Sequence, residues 1–180
     1  MSSIYSRRAF KPYKSMRLAN YDYSSTGAYA ITICALDRNQ NLLKVPALHS
    51  IIIEEWQRLP QRFASITLDV FVLMPDHLHC IIWNNEQTKN VKSVIDIIGE
   101  YKSLVISAWI KHLKATEENY PGKIWQKRFY DHVIRNPKDL QAQRIYMLNN
   151  PLKAKNKNKQ ITENHVCQYD SCGHIPFPPQ

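Results

Sequence analysis

The pattern along the chain predicts an α+β fold, a ferredoxin-like β-α-β-β-α-β sheet with helices on one face, followed by a further helix. Two observations carry that expectation. Segments rich in β-branched and aromatic residues alternate, in that order, with stretches whose apolar residues recur at helical spacing. The 180 residues, 44% hydrophobic and 22% charged, also suit one domain with a full-sized core, and no internal repeat or second domain is evident.

Tyr29 to Leu36 alternates and is rich in β-formers, so it reads as the first strand. Pro46 opens a helical stretch, where its missing N–H costs nothing, with Leu48, Ile51, Ile52 and Trp56 on the apolar face. Ile66 to Leu73 reads as a second strand, and His77 to Trp83 as its hairpin neighbour across Met74-Pro75-Asp76. Val91 to Leu113 predicts a long helix, with Val94, Ile95, Ile98, Leu104, Val105, Ala108 and Trp109 at helical spacing. Phe129 to Ile134 is the fourth strand. Asn136-Pro137 then supplies an N-cap and a first-turn proline, and Asp139 sits where the helix dipole favours an acid. That helix is expected to run to about Asn149. The chain thus divides into a basic N-terminal arm over 1–17, one domain over 18–152, and a basic, flexible tail over 153–180 that opens with Lys alternating with Ala or Asn.

Two distant pieces carry chemistry: Met74-Pro75-Asp76-His77-Leu78-His79-Cys80 and Tyr146-Met147-Leu148-Asn149-Asn150-Pro151. On a strand, His77 and His79 share a face about 6.5–7 Å apart along the chain, close enough to converge on one divalent ion, while Leu78 turns to the core. On a helix, Tyr146 and Asn150 share a stripe, so the Asn150 amide oxygen can join the same ion. A His, His, amide set suits borderline-to-hard cations, Mn²⁺ accepting imidazole more readily than Mg²⁺. The bland alternatives are an incidental His-x-His pair, and a packed aromatic followed by a C-cap at Asn150 before Pro151.

Charge is the least ordinary feature of the composition. The net +9 is concentrated: residues 1–17 hold five basic residues and no acid, and residues 123–159 hold ten against Asp131 and Asp139. A positive field around the tyrosine helix suits a polyanion, although a merely solvated basic surface produces the same count. Lys127, Arg128, His132, Arg135 and Lys153 are the candidate phosphate contacts. Tyr21, Tyr23 and Trp125 are candidates for base stacking or for core packing. Cys34 and Cys80 lie in apolar strands and read as buried thiols. The spacing His165-x-Cys167-x4-Cys172-x-His174 departs from common zinc sites and favours a loose tail. No secretory signal or transmembrane run is evident, which points to an intracellular protein.

Several motifs in order resemble one family, the REP-associated tyrosine transposases of the HUH single-strand transposase group. The resemblance runs from about Arg17 to Ala154. It rests on Arg17-Leu18, Tyr21-Asp22-Tyr23, Gly27-Ala28-Tyr29 leading into Ile31-Thr32-Ile33-Cys34, the His77/His79 motif, Ile124-Trp125-Gln126, Tyr130-Asp131-His132-Val133-Ile134-Arg135, and Tyr146 to Pro151. It implies that His77 and His79 bind a catalytic Mg²⁺ or Mn²⁺, with Asn150 completing or orienting the site. Members of the wider group often carry Gln at that position. It further implies that Tyr146 is the nucleophile, and that single-stranded or hairpin DNA is cut and rejoined at palindromic repeats through a 5′-phosphotyrosine, in the bacterial cytoplasm. Tyr130 also lies in a matching motif, and its strand position predicts a packed aromatic rather than the nucleophile. A dimer exchanging the tyrosine helix and a monomer both fit. Two other functions fit the same residues: a catalytically silent hairpin-DNA-binding regulator, and a metal-dependent phosphodiesterase without a covalent tyrosine intermediate.

Overall fold

The computed structural model describes residues 17–85, 92–157 and 165–167, with 152–157 and 165–167 described as backbone only. Most of the basic N-terminal arm, Lys159, and the Cys172 and His174 of the tail spacing lie outside these residues. The element order is β1 (Gly27–Cys34), α1 (Pro46–Gln57), a short α2 (Leu59–Arg62), β2 (Ile66–Leu73), β3 (His77–Asn84), α3 (Val94–Thr116), β4 (Tyr130–Ile134), α4 (Pro137–Lys157) and β5 (His165–Cys167). The strands form one antiparallel sheet in the order β4-β1-β3-β2-β5. With β1 between β4 and β3, and β3 between β1 and β2, the first four strands form the predicted split βαβ arrangement. The fifth strand, pairing His165–Cys167 with the end of β2, was not expected from the sequence.

The two faces of the sheet are packed very differently. One is covered by α1 and α3. Leu48, Ile52 and Trp56 form the inner stripe of α1, and Trp56 meets Phe71 of β2 and Tyr101 of α3 at ring-centroid distances of 5.2 and 5.6 Å. The Tyr101 hydroxyl donates to the Ile52 carbonyl at 3.0 Å, so the polar atom of this buried ring is satisfied. Ser93 caps α3 by accepting from the Asp96 amide at 3.2 Å. The other face carries a smaller apolar cluster, in which Ala28, Ala30, Val70, Val72, Met74, Ile81, Trp83 and Ile134 pack beneath Leu140 and Met147 of α4. Helices thus pair on one face, and the later helix lies alone across the other.

That last helix begins as predicted and ends differently. Asn136 Oδ1 accepts from the Asp139 amide at 2.9 Å, the expected N-cap. The helix then passes through Pro151 and continues to Lys157, so Asn150 is not a C-cap, and Lys153, expected in a flexible segment, is helical. The proline ring removes one amide donor and crowds the carbonyl of Met147, which usually kinks or ends a helix. Here Pro151 is buried within a helix that continues past it.

Candidate active site

The alternation of β3 decides which side chains meet α4. Leu78, Cys80 and Ile82 enter the large core, while Ile81 and Trp83 enter the α4 cluster, placing His77 and His79 on the same face as α4. The two imidazoles turn their Nε2 atoms toward each other, 3.1 Å apart. Their remaining nitrogens are both engaged. His77 Nδ1 donates to the Asp76 carboxylate at 2.6 Å, and Asp76 is gripped from its other side by Arg38 Nε at 2.7 Å. His79 Nδ1 shares a 2.7 Å hydrogen bond with the hydroxyl of Thr32, the residue opposite it in register on β1.

Electrostatics favours uncharged imidazole at His79. Burial pushes its pKa down to about 4, and the adjacent His77 pushes the same way against the opposing pull of Asp76. Burial alone would raise the Asp76 carboxyl, but the hydrogen bonds and charges of His77 and Arg38 outweigh it and hold Asp76 below the usual carboxylate range. A neutral imidazole whose Nδ1 is fixed by a neighbour presents its Nε2 lone pair outward, the form that ligates a metal.

Tyr146 approaches from α4, its ring centroid 5.7 Å from that of His79 and the two rings edge-to-face at 70°. The residue is 49% exposed. One turn later, Asn150 Nδ2 is buried without a hydrogen-bond partner among the described residues. An unpaired buried N–H donor costs about 1–3 kcal/mol, a deficit that a hydrogen-bond acceptor relieves, whereas a cation would take the oxygen of the same amide. Among the described residues no cluster of three His, Cys, Asp or Glu is poised for an ion. Two converging imidazoles and the oxygen of the Asn150 amide are the groups here whose chemistry fits a divalent cation.

The candidate DNA contacts separate along the sheet. Lys127 and Arg128 are exposed immediately before β4, at the end where Tyr130 pairs with Thr32 and Thr32 with His79. Arg135, also exposed, follows the other end of β4, about 17 Å away for five residues of strand. His132 lies between them and bonds Asp139 through Nε2 at 2.9 Å. Of Lys153 only the backbone is described. Tyr130, expected to be packed, is 54% exposed on the His79 side of the sheet. Its neighbours Phe129 and Asp131 turn into the other face, where Asp131 binds Arg17 and the Tyr23 hydroxyl. Tyr23 and Trp125 are buried and Tyr21 packs against the core, so none of these three offers a stacking surface.

The sequence assigned no role to Thr32, Asp76 or Arg38, although a threonine on the site-facing side of an apolar strand was a usable signal. Among the described residues no helix is long and apolar enough to cross a membrane.

No family model matches the chain. An uncharacterised protein of Haemophilus influenzae is 30% identical over 77% of this chain and 88% of its own length. A REP-associated tyrosine transposase of Escherichia coli is 27% identical over 73% of this chain and 70% of its own length. A solved REP-associated tyrosine transposase bound to a REP hairpin superposes with a TM-score of 0.52 at 25% identity, covering 71% of this chain and 68% of that one. The relatives that carry a name and this solved structure place the chain in a class, the DNA-processing transposases. Within that class, the chain belongs to the family of REP-associated tyrosine transposases.

Proposed function

We propose that this transposase is a metal-dependent single-stranded DNA transesterase, cleaving and rejoining DNA at hairpin or palindromic repeats through a 5′-phosphotyrosine on Tyr146. The observation that carries it is the Tyr146 ring lying edge-on to His79, whose Nε2 converges with that of His77. Tyr146 Oη attacks the scissile phosphorus, and its proton leaves to solvent, to which the residue is half open. The bond from phosphorus to the 3′ oxygen breaks, and that oxygen takes up a proton to become a 3′-hydroxyl. The 5′-phosphate remains esterified to the tyrosine. The reverse attack by a 3′-hydroxyl rejoins the strand without an external energy source, because the ester bond is conserved.

His77, His79 and Asn150 would hold a Mg²⁺ or Mn²⁺ ion. When bound, it supplies charge stabilisation for the phosphate oxygens in the transition state. The protein's own part is to keep His79 uncharged through burial, to hold both rings through Thr32 and Asp76, and to offer the phenol from α4. The exposed Lys127 and Arg128 sit at the same end of the sheet and would attract the flanking phosphates. Arg135, His132 and Lys153 would extend that basic track along β4 and α4. The hairpin bound to the related solved transposase, and relatives from bacteria, support hairpin DNA as partner and the bacterial cytoplasm as setting.

The test uses end-labelled single-stranded hairpin DNA with Mg²⁺ or Mn²⁺ on denaturing gels. A labelled band shifted by the protein's mass, lost in Tyr146→Phe and with chelator, is the expected result. Shifts confined to native gels would establish a silent binding regulator instead. Cleavage without an adduct, surviving Tyr146→Phe, would establish a metal-dependent phosphodiesterase.

A further inference from the structure

A buried carboxylate lies under the tyrosine helix, away from the histidines. β2 loses register with β3 between Leu68 and Phe71, so Asp69 and Val70 together oppose the single residue Ile81. A β-bulge of this kind turns two consecutive side chains toward one face. Leu68 and Phe71 both point into the large core, and Val70 enters the α4 cluster. Asp69 therefore sits under α4 within a strand that is otherwise almost wholly apolar, and it is only 5% exposed.

Four donors surround this carboxylate. Oδ1 accepts from the Val70 amide at 2.8 Å and from Arg144 Nε at 3.0 Å. Oδ2 accepts from the Trp83 indole at 3.0 Å and from Arg144 Nη2. An ionised carboxylate has about four acceptor positions, so this one is saturated. Strand donors fix it from beneath, and the Arg144 fork closes on it from α4.

The rest of the α4 attachment is sparse. Leu140, Arg144, Met147 and the buried Pro151 form its inner stripe, and of these Leu140 and Met147 belong to the apolar cluster, with Leu148 packed at its edge. Ile145 and Tyr146 remain exposed. Apolar contact is non-directional and tolerates small slides and rotations, whereas a two-pronged guanidinium–carboxylate pair fixes angle and distance. A slip of one residue would carry Tyr146 about 1.5 Å along the helix and about 100° around it.

We propose that Asp69 and Arg144 are positioning residues: the bulge-mounted carboxylate and its arginine fork set the rotation and register of α4, and through it the placement of Tyr146 beside His79. This rests on Tyr146 being the reacting group; the docking of α4 does not. Neither residue touches DNA or the reacting atoms in this scheme, so both act on the rate of attack rather than on hairpin affinity.

The experiment compares wild type with Arg144→Met, Arg144→Lys and Asp69→Asn in the full-length protein. Two readouts are used: amide hydrogen exchange resolved by segment, and the single-turnover rate constant for adduct formation at saturating hairpin DNA. In Arg144→Met and Asp69→Asn, exchange over residues 140–151 should quicken by about tenfold or more while β1 and β3 are unchanged, because a buried charge loses its partner locally. The adduct rate constant should fall by about a hundredfold, the cost of a roughly 1 Å misplacement, with hairpin affinity kept within about twofold of wild type because no DNA contact is removed. Arg144→Lys, which keeps the charge but not the fork, should fall between them.

A purely structural role would speed exchange across the whole sheet and lower the active fraction without changing the rate constant, and that result would overturn the proposal. Unchanged α4 exchange in Arg144→Met would overturn it equally. If wild type forms no adduct, or an adduct that survives Tyr146→Phe, the Tyr146 assignment fails. The exchange readout then decides alone whether Asp69 and Arg144 hold α4.

Discussion

Replacing Thr32 with valine tests the site at its least conspicuous support. Valine matches threonine in shape and in preference for a strand, so neither a cavity nor a backbone penalty accompanies the change. What is lost is the 2.7 Å hydrogen bond to His79 Nδ1. His79 is 6% exposed and held neutral by burial, so little solvent reaches the orphaned nitrogen. An ordinary hydrogen bond contributes about 1 kcal/mol, and a buried group left unpaired costs about 1–3 kcal/mol, so unfolding in urea with chelator present should show a loss in that range. The larger effect belongs to metal binding. Once Nδ1 loses its partner, the tautomer and ring orientation at His79 are no longer fixed, and such losses cost about 10–100-fold in metal affinity. Mn²⁺ titration by calorimetry should show that drop for Thr32→Val and near-wild-type affinity for Thr32→Ser, which keeps the hydroxyl. Equal Mn²⁺ affinity in Thr32→Val and wild type would refute the idea that β1 orients the histidine.

Three other outcomes are expected. Tyr130→Phe should form the covalent DNA adduct at the wild-type rate, since the exposed Tyr130 is separated from His79 by the width of β1; an adduct lost there but kept in Tyr146→Phe would reverse the tyrosine assignment. In the metal-free protein, stability should fall as pH drops from about 6.5 to about 4 and level off below. His79 has its folded pKa depressed, so in that window the unfolded chain binds a proton that the folded chain refuses; the loss is on the order of 3 kcal/mol, and urea midpoints in His79→Gln should lack most of it. Asn136→Ala removes the α4 cap at Asp139 and should cost about 1 kcal/mol by chemical denaturation, with Asn136→Asp close to neutral.

The sequence carried the sheet and the outline of the site because both depend on periodicity. Ile66–Leu73, a run of β-forming residues, was placed to the residue, and the Asn136-Pro137 pair announced the start of α4. The end of α4 was not legible. Local rules make Pro151 a stop, and nothing local to the sequence marks it as a buried residue inside a continuing helix. Tyr130 misled for a related reason. An aromatic on a strand packs only if something lies above it, and β4 is an edge strand whose site-facing end α4 does not cover. Thr32, Asp69 and Arg144 each left a trace, a polar residue on an apolar stripe. Pattern alone does not pair a strand with a helix that follows 75 residues later.

Unequal division of labour between the two faces accounts for why such residues are tolerated. The α1–α3 face buries Trp56, Trp109, Tyr101 and Phe71 fully, and burial of that kind contributes on the order of 2–3 kcal/mol per large side chain. With stability concentrated there, the opposite face can give up apolar area to Thr32, Asp69, His77 and His79 without unfolding the domain. Each polar group on that face comes with a partner: Thr32 for His79, Asp76 for His77, Arg144 for Asp69. On α4, Asn150 Nδ2 has no such partner among the described residues. An unpaired Nδ2 on the Tyr146 stripe is a position that an acceptor such as a phosphate oxygen would satisfy, and the amide oxygen beside it is the atom that would take a cation. If so, Mn²⁺ should lose affinity in Asn150→Leu while the fold gains stability, the opposite signs that separate a ligand from a structural amide. A leucine variant that is both less stable and unchanged in Mn²⁺ affinity would assign Asn150 to the helix alone.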